Sequence, residues 1–208
     1  MTVEKTMLRL PKPEHLEKVF GLSTSMSAQY FFDLIDRYGV TAVADTRLSR
    51  NYLGAAFSTG RDLPFFCDEF YLEYMHLTEL SPTREMRETL YRQTMPPRAK
   101  APDIYAWTNF LEAYARTLAT RDVFGSSTKF SQLLYGKHKA VALICACQSV
   151  HDCHLQVVLG AIKRLFPELQ VGVLTPDLIG GDKPERKKPA RVLRKAIPFA
   201  NLQPQVLL

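Results

Sequence analysis

The chain has 208 residues and a formal charge of +6, with 46% hydrophobic and 23% charged residues. These proportions are typical of globular proteins and exclude a wholly disordered chain. No apolar run approaches the roughly 20 residues of a membrane span, and the start of the chain carries charges without the apolar stretch of a secretory signal. We therefore expect a soluble, cytoplasmic, single-domain protein.

The positive charge is concentrated at the C-terminal end of the sequence. Residues 182–208 contain seven basic and two acidic side chains, a net charge of +5. The remaining 181 residues contain 20 basic and 19 acidic side chains, a net charge of +1. Charge runs are usually solvated, but a basic tail can also bind nucleic-acid phosphates without sequence preference. Both interpretations of this tail stay open.

Strand-like and helix-like segments alternate along the chain. Some segments have apolar residues at helical spacing, and others are uninterrupted apolar runs of strand length. The predicted elements, in chain order, are a strand at 18–22, a helix at 27–38, a strand at 40–44, a loop with partial helix at 47–63, a strand at 70–77, a helix at 104–119, a loop or insertion at 123–138, a strand at 139–145, a helix at 152–166 and a strand at 171–174.

This alternation is typical of an α/β fold with a mainly parallel sheet between two layers of helices. We expect one three-layer α/β domain at 18–178, an N-terminal extension at 1–17 and a basic, Pro-rich C-terminal tail at 179–208. The sequence contains no P-loop and no G-x-G-x-x-G fingerprint after a strand. ATP hydrolysis and dinucleotide chemistry therefore have no support.

Polar side chains follow several predicted strands at the point where each strand ends. Ligands of open parallel sheets bind outside the carboxyl ends of the strands, where the strand order reverses. The residues at these positions are Ser23, Thr24, Ser25, Asp45, Thr46, Arg47, Ser49, Arg50, His76, Glu79, Cys145, Cys147, Cys153 and His154. We therefore expect a binding or catalytic site at this edge of the sheet.

Two interpretations are open for the charged residues after the second strand and for the histidine after the third. Asp45 and Arg47 could form a local ion pair with a helix-capping role. Alternatively, Arg47 or Arg50 could hold an anion, because a guanidinium group matches phosphate or carboxylate. His76 could be a buried, hydrogen-bonded histidine, or it could act as a general acid or base.

Four cysteines occur without a secretory signal, so free thiols are expected rather than a disulfide framework. A Cys-x-Cys-x5-Cys-His pattern, formed by Cys145, Cys147, Cys153 and His154, offers four side chains of types that zinc accepts. Its spacing is not that of a zinc ribbon or finger, and cysteine in an apolar strand behaves as a small hydrophobe. Buried thiols are the first expectation and zinc the alternative. Cys153 near a helix start could also serve as a nucleophile.

Four sequence blocks occur in an order that resembles a known family. The blocks are 21–25 (GLSTS), 44–50 (ADTRLSR), 72–80 (LEYMHLTEL) and 143–147 (LICAC), the last followed by Cys153-His154. They resemble the T-I-G-H-S, D-V-R-x-x-P-x-S, I-x-Y-x-H-x-x-x-L-G-G and L-x-C-x-E…C-H-R motifs of the domain-of-unknown-function 488 family. The resemblance supports the α/β fold, and that family has no assigned function.

The chain departs from the motifs of that family at several positions. Thr24 stands where the motif has histidine, Cys147 where it has glutamate, and Leu155 where it has arginine. Ser81 and Pro82 replace the two glycines after the third strand. These departures indicate a divergent member with altered activity or with binding alone.

The sequence thus predicts binding of a phosphate-bearing ligand, a nucleotide or nucleic acid, with hydrolysis as an extension. The predicted ligand-binding residues are Ser25, Arg47, Arg50, Glu79 and Cys145, and the predicted catalytic residues are Asp45, His76, Cys153 and His154. No cofactor, metal or membrane partner is expected, with zinc as the alternative. The alternative function is a non-enzymatic adaptor for nucleic acid or protein that uses the basic tail.

Overall fold

Five strands alternate with six α-helices in the computed structural model, which describes residues 10–51, 55–94, 104–148 and 153–179. The elements are β1 (Lys18–Ser23), α1 (Ala28–Arg37), β2 (Ala42–Asp45), α2 (Asp62–Glu69), β3 (Glu73–His76), α3 (Arg84–Thr94), α4 (Ile104–Thr120), α5 (Lys129–Leu134), β4 (Ala140–Cys145), α6 (Leu155–Leu165) and β5 (Gln170–Leu174). Short 3-10 turns occur at Ala56–Ser58, Thr78–Leu80 and Pro176–Ile179.

The strands form one parallel sheet in the order β3-β2-β4-β1-β5. The pairing register brings the last residues of neighbouring strands side by side. Ser23 is opposite Cys145, and Asp45 is opposite His76 on one side and Ile144 on the other. The polar residues that follow the strands therefore all lie on the side of the sheet where the carboxyl ends of the strands meet.

Helices cover both faces of the sheet, so the predicted three-layer α/β fold is confirmed. Successive strand side chains point to opposite faces. Leu143 and Cys145 pack on the face covered by α4, α5 and α6. Ile144 and Val43 pack on the face covered by α1 and α2. Cys145 therefore points toward the layer that contains the start of α6.

The strand order reverses between β1 and β4, which are neighbours. From β1 the chain passes through α1 to β2, toward one edge of the sheet, whereas from β4 it passes through α6 to β5 at the opposite edge. Helices α1 and α6 pack on opposite faces. The crevice between the carboxyl ends of β1 and β4 is therefore the switch point at which such folds bind ligands.

Local sequence signals explain the boundaries of α1. Ser27 has extended backbone angles, and its hydroxyl accepts a hydrogen bond from the Tyr30 amide at 3.3 Å, as expected of an N-cap. Gly39 follows the helix with a φ of +64°, a conformation that glycine adopts without steric cost. The helix buries Phe31, Leu34 and Ile35, as the helical spacing predicts.

All five predicted strands and the helices near 27–38, 104–119 and 152–166 are confirmed, with boundaries that differ by a few residues. Residues 123–138, expected to be a loop or insertion, contain α5. Its Phe130, Leu133 and Leu134 side chains are at most 2% exposed, so this segment is part of the core. Helices α2 and α3 are additions, because the sequence analysis placed only a partial helix within 47–63 and predicted no helix at 84–94.

Most of the predicted basic tail and most of the N-terminal extension lie outside the described residues. Within the ranges that the structure describes, no helix is both long enough and apolar enough to cross a membrane.

Candidate functional site

Three cysteines and one histidine meet at the switch point. The potential ligand atoms of Cys145, Cys147, Cys153 and His154 all lie within 4.8 Å of one another. The Cys145 and Cys147 sulfurs are 2.9 Å apart. His154 Nδ1 lies 3.5 Å from the Cys153 sulfur and 3.9 Å from the Cys145 sulfur. The side chains of the Cys-x-Cys-x5-Cys-His pattern thus form one compact cluster.

The fold brings these residues together from the two ends of one connection. Cys145 ends β4 and faces the α6 layer, and Cys147 follows it by two residues. Cys153 and His154 directly precede α6, which begins at Leu155. Cys145, Cys153 and His154 are buried, at 4%, 0% and 7% exposure, whereas Cys147 is half-buried. Cys147 is therefore the member of the cluster nearest to solvent.

The hydrogen bonds of Thr46 define the tautomer of His154. The Thr46 hydroxyl lies 2.8 Å from the Ile144 carbonyl, to which it donates its single proton. The same oxygen is 3.2 Å from His154 Nε2 and must accept there, so Nε2 carries the ring proton. In the neutral ring, Nδ1 then presents a lone pair to the sulfurs. The Tyr114 ring packs edge-on against the imidazole, with ring centres 5.4 Å apart.

Backbone amides also support the sulfurs. The Cys147 amide donates to the Cys145 sulfur at 3.2 Å, and the Leu155 amide donates to the Cys153 sulfur at 3.5 Å. A donated hydrogen bond favours the thiolate form of its acceptor, but the pKa values of Cys145 and Cys153 are raised overall, because the contact with Cys147 outweighs this effect at Cys145 and burial outweighs it at Cys153.

Without a metal, the three thiols share their protons unequally. The hydrogen bond from Cys145, followed by that from Cys153, lowers the pKa of Cys147. The hydrogen bond to Cys147 raises the pKa of Cys145, and burial raises the pKa of Cys153. The cluster therefore favours one thiolate, at Cys147, flanked by two thiol donors.

The loop after β1 closes over the same crevice. The Ser23 hydroxyl donates to the Cys147 carbonyl, and the Ser25 hydroxyl donates to the Ala146 carbonyl at 3.1 Å. The Thr24 amide donates to the Cys145 carbonyl at 2.8 Å. Ser25, predicted to bind ligand, thus lies beside the cysteine cluster and holds its backbone.

A second buried network lies at the end of β2. Arg47 donates from Nε to one Asp45 carboxylate oxygen at 2.8 Å and from a terminal nitrogen to the other at 2.6 Å. The two side chains are 4% and 0% exposed. Arg47 also donates to Ser58 at 3.3 Å, and the Tyr74 hydroxyl donates to Asp45 at 2.8 Å. This geometry matches the ion-pair interpretation, since the Arg47 guanidinium faces protein partners.

Charge and burial compete in this network. Burial acts to lower the pKa of Arg47, but the hydrogen bond and charge of Asp45 outweigh it, so the pKa is raised. Burial, followed by the charge of Asp45, raises the pKa of Tyr74, which keeps the phenol protonated as a donor. The Arg47 guanidinium therefore keeps its charge, and each of its three nitrogens has a protein partner.

Arg50 lies beside this network and is half-buried. Burial dominates the pKa of the nearby Tyr74, and the charge of Arg50 acts to lower it. Arg50 also lies against Gly60, where an added Cβ would come 3.3 Å from Arg50 Nε. No carboxylate among the described residues is within ion-pair distance of Arg50. Since Asp45 and Arg47 neutralise each other, this corner of the sheet edge keeps one positive charge.

The two predicted site residues after β3 have local partners. His76 Nε2 donates to the Arg47 carbonyl at 2.7 Å, which ties the end of β3 to the loop after β2. Glu79 accepts from the Phe130 amide at 3.0 Å, in the first turn of α5. Glu79 thus caps a helix, and its contact lies with α5 rather than with the cysteine cluster.

The structure therefore divides the predicted residues into a cysteine cluster and a charged network, joined through the segment Asp45-Thr46-Arg47. Sequence analysis missed the roles of Thr46, Tyr74 and Tyr114. Thr46 was visible as a polar residue at a strand end. The two tyrosines carried no signal that distinguishes them from other core aromatics.

The comparison with known families matches residues 27–162, which are 136 of the 208 residues, to the family described as Domain of unknown function DUF488. The chain belongs to this family, as the resemblance of the four sequence blocks predicts. No curated protein and no solved structure matches the chain.

The cysteine cluster fits the ligand set of a tetrahedral zinc ion. Zinc–sulfur and zinc–nitrogen bonds of about 2.3 and 2.0 Å place neighbouring ligands about 3.5 to 3.8 Å apart. The distance of 3.5 Å from the Cys153 sulfur to His154 Nδ1 agrees with this spacing, and the distance of 3.9 Å from the Cys145 sulfur is slightly longer. The Cys145–Cys147 sulfurs, at 2.9 Å, would open by about 0.9 Å to hold the ion.

Proposed function

We propose that this protein binds one zinc ion through Cys145, Cys147, Cys153 and His154. The observation that carries the proposal is the convergence of these four side chains within 4.8 Å, with His154 Nδ1 free to accept. Second-shell hydrogen bonds from the far nitrogen of a ligating histidine are usual in metal sites, and Thr46 supplies one here.

The arrangement supports a structural or regulatory ion. Four protein ligands fill a tetrahedral shell and leave no position for substrate, as in structural zinc sites. The ion would join the end of β4 to the start of α6, the connection that frames the switch point. We place the protein in the cytoplasm, where cysteines remain reduced and available as ligands.

The test measures the metal content of the reduced full-length protein by native mass spectrometry and elemental analysis. We expect one zinc ion per chain and its loss in Cys153→Ser. The matched control is Cys67→Ser, because Cys67 is also buried but belongs to the core around α2. A folded wild-type protein that takes up no zinc would contradict the proposal, as would equal loss in both variants.

A second candidate function is binding of a phosphate-bearing ligand at Arg50. The observation that favours it is the half-buried guanidinium of Arg50, which lacks an acidic partner among the described residues and adjoins a neutralised ion pair. An uncompensated guanidinium at the carboxyl edge of a parallel sheet suits a phosphate group. This extends the nucleotide or nucleic-acid prediction, with Arg50 rather than Arg47 as the contact.

Calorimetric titration of the full chain with pyrophosphate, a nucleotide panel and a short oligonucleotide tests this candidate. We expect Arg50→Ala to abolish binding and Arg61→Ala, at an arginine 92% exposed and paired with Asp62, to preserve it. Absence of binding by the wild-type protein, or equal affinity in Arg50→Ala, would contradict it.

The adaptor function of the basic tail stays a prediction, since the tail lies outside the described residues. Removal of residues 182–208 should then eliminate nucleic-acid binding and its salt dependence, whereas Arg50→Ala should leave both unchanged.

A further inference from the structure

The sulfurs of Cys145 and Cys147 are in direct contact within the cluster. Their separation of 2.9 Å lies between the about 3.8 Å expected for two sulfurs on one zinc ion and the about 2.05 Å of a disulfide bond. A shift of about 0.9 Å in either direction gives one of these two states. The same pair can therefore hold a metal or form a bond.

The four residues of the cluster differ in their exposure to solvent. Cys147 is half-buried, whereas Cys145, Cys153 and His154 are at most 7% exposed. A small oxidant from solvent therefore meets the sulfur of Cys147 first. Cys145 is in position to react next, because its sulfur is 2.9 Å from that of Cys147.

We propose that hydrogen peroxide oxidises the Cys145–Cys147 pair to a disulfide and thereby releases the zinc ion. This inference rests on the proposed zinc site. The Cys147 thiolate attacks one peroxide oxygen, the O–O bond breaks, and the departing hydroxide takes a proton to become water. The Cys147 sulfenic acid that results is then attacked by the Cys145 sulfur. An S–S bond forms, the S–O bond breaks, and a second water leaves after protonation.

The two sulfurs give up two electrons, which reduce one peroxide to two waters. Of the four proposed ligands, only Cys153 and His154 would then remain to hold a zinc ion. Cys153 is 0% exposed, so it stays outside the first oxidation step. Reduction by a dithiol restores both thiolates and the four-ligand site.

The experiment treats the zinc-loaded, full-length protein with hydrogen peroxide. Released zinc is followed with a chromogenic chelator, and disulfides are mapped by peptide mass spectrometry. We expect loss of one zinc ion per chain together with a Cys145–Cys147 disulfide, and recovery of both after dithiothreitol and added zinc. Cys67→Ser should behave as the wild type.

Cys147→Glu separates metal binding from oxidation. A carboxylate is also a zinc ligand but contains no sulfur to oxidise, so zinc bound by this variant, at whatever affinity, should stay bound under the peroxide treatment that empties the wild type. Zinc that is bound but retained by the wild type under peroxide, or a disulfide that uses Cys153, would overturn this inference and leave the zinc site intact. A reduced wild-type protein without zinc would overturn both. If Cys147→Glu does not fold, disulfide mapping in the wild type alone tests whether peroxide joins Cys145 to Cys147.

Discussion

Replacement of Thr46 by valine removes one hydroxyl and keeps the side-chain shape. The hydroxyl accepts from His154 Nε2 at 3.2 Å and donates to the Ile144 carbonyl at 2.8 Å. Thr46 is 0% and His154 7% exposed, so water does not readily replace the lost acceptor. We expect the imidazole to lose its fixed tautomer and orientation.

The size of the effect on zinc affinity follows from the burial of Thr46 and from its hydrogen bond to His154, one of the proposed zinc ligands. A buried donor left without a partner costs about 1–3 kcal/mol. Loss of a hydrogen bond behind a metal ligand weakens metal affinity by about 10- to 100-fold. Zinc affinity in Thr46→Val should fall within this range, and Thr46→Ser, which restores the hydroxyl, should recover most of it.

The assay is a competitive zinc titration against a chromogenic chelator, with thermal unfolding of the metal-free protein measured in parallel. Thr41→Val is the control, because Thr41, although exposed, makes the same kind of threonine–histidine contact at the amino ends of the strands, far from the cysteine cluster. Its hydroxyl lies 3.2 Å from His138 Nδ1 and 3.2 Å from the Ala140 carbonyl. Unchanged zinc affinity in Thr46→Val, or an equal loss in Thr41→Val, would refute the role of Thr46.

Three further predictions concern the rest of the fold and the site. Arg47→Ala leaves the buried Asp45 carboxylate without its partner and should lower the free energy of unfolding by about 3–5 kcal/mol, measured by urea denaturation. An unchanged denaturation midpoint would show that the ion pair with Arg47 does not stabilise the fold. Phe31→Ala removes a fully buried ring and should lower the free energy of unfolding by about 3–5 kcal/mol in the same assay. A much smaller decrease would mean that the ring is not packed tightly between α1 and the sheet. Zinc affinity should fall as pH falls below neutrality, because protons compete with zinc for the thiolates and for His154 Nδ1; a pH-independent affinity would argue against thiolate ligands.

The sheet could be predicted because buried parallel strands leave a simple signal. Residues 140–144 are an apolar run that is buried on both faces, and this run becomes the centre of β4. The collection of polar residues at one edge also follows from the sequence. Parallel strands in register bring Ser23 beside Cys145 and Asp45 beside His76.

The roles of individual side chains could not be predicted, because they depend on contacts between distant segments. Arg47 could pair with Asp45 or hold a ligand, and only the burial of both side chains distinguishes these cases. The cysteine pattern contained four suitable ligands, yet its spacing did not show that Cys153 and His154 return to Cys145. Helix α5 was missed because its short apolar pattern lies among glycine and serine residues.

X-ray absorption spectroscopy of the zinc-loaded, reduced protein measures the ligand set itself. We expect three sulfurs at about 2.3 Å and one nitrogen at about 2.0 Å from the ion. The Cys67→Ser protein should give the same spectrum, since Cys67 lies in the separate core around α2. A shell with fewer than three sulfurs, or a protein that holds no zinc under reducing conditions, would contradict the assignment of Cys145, Cys147, Cys153 and His154.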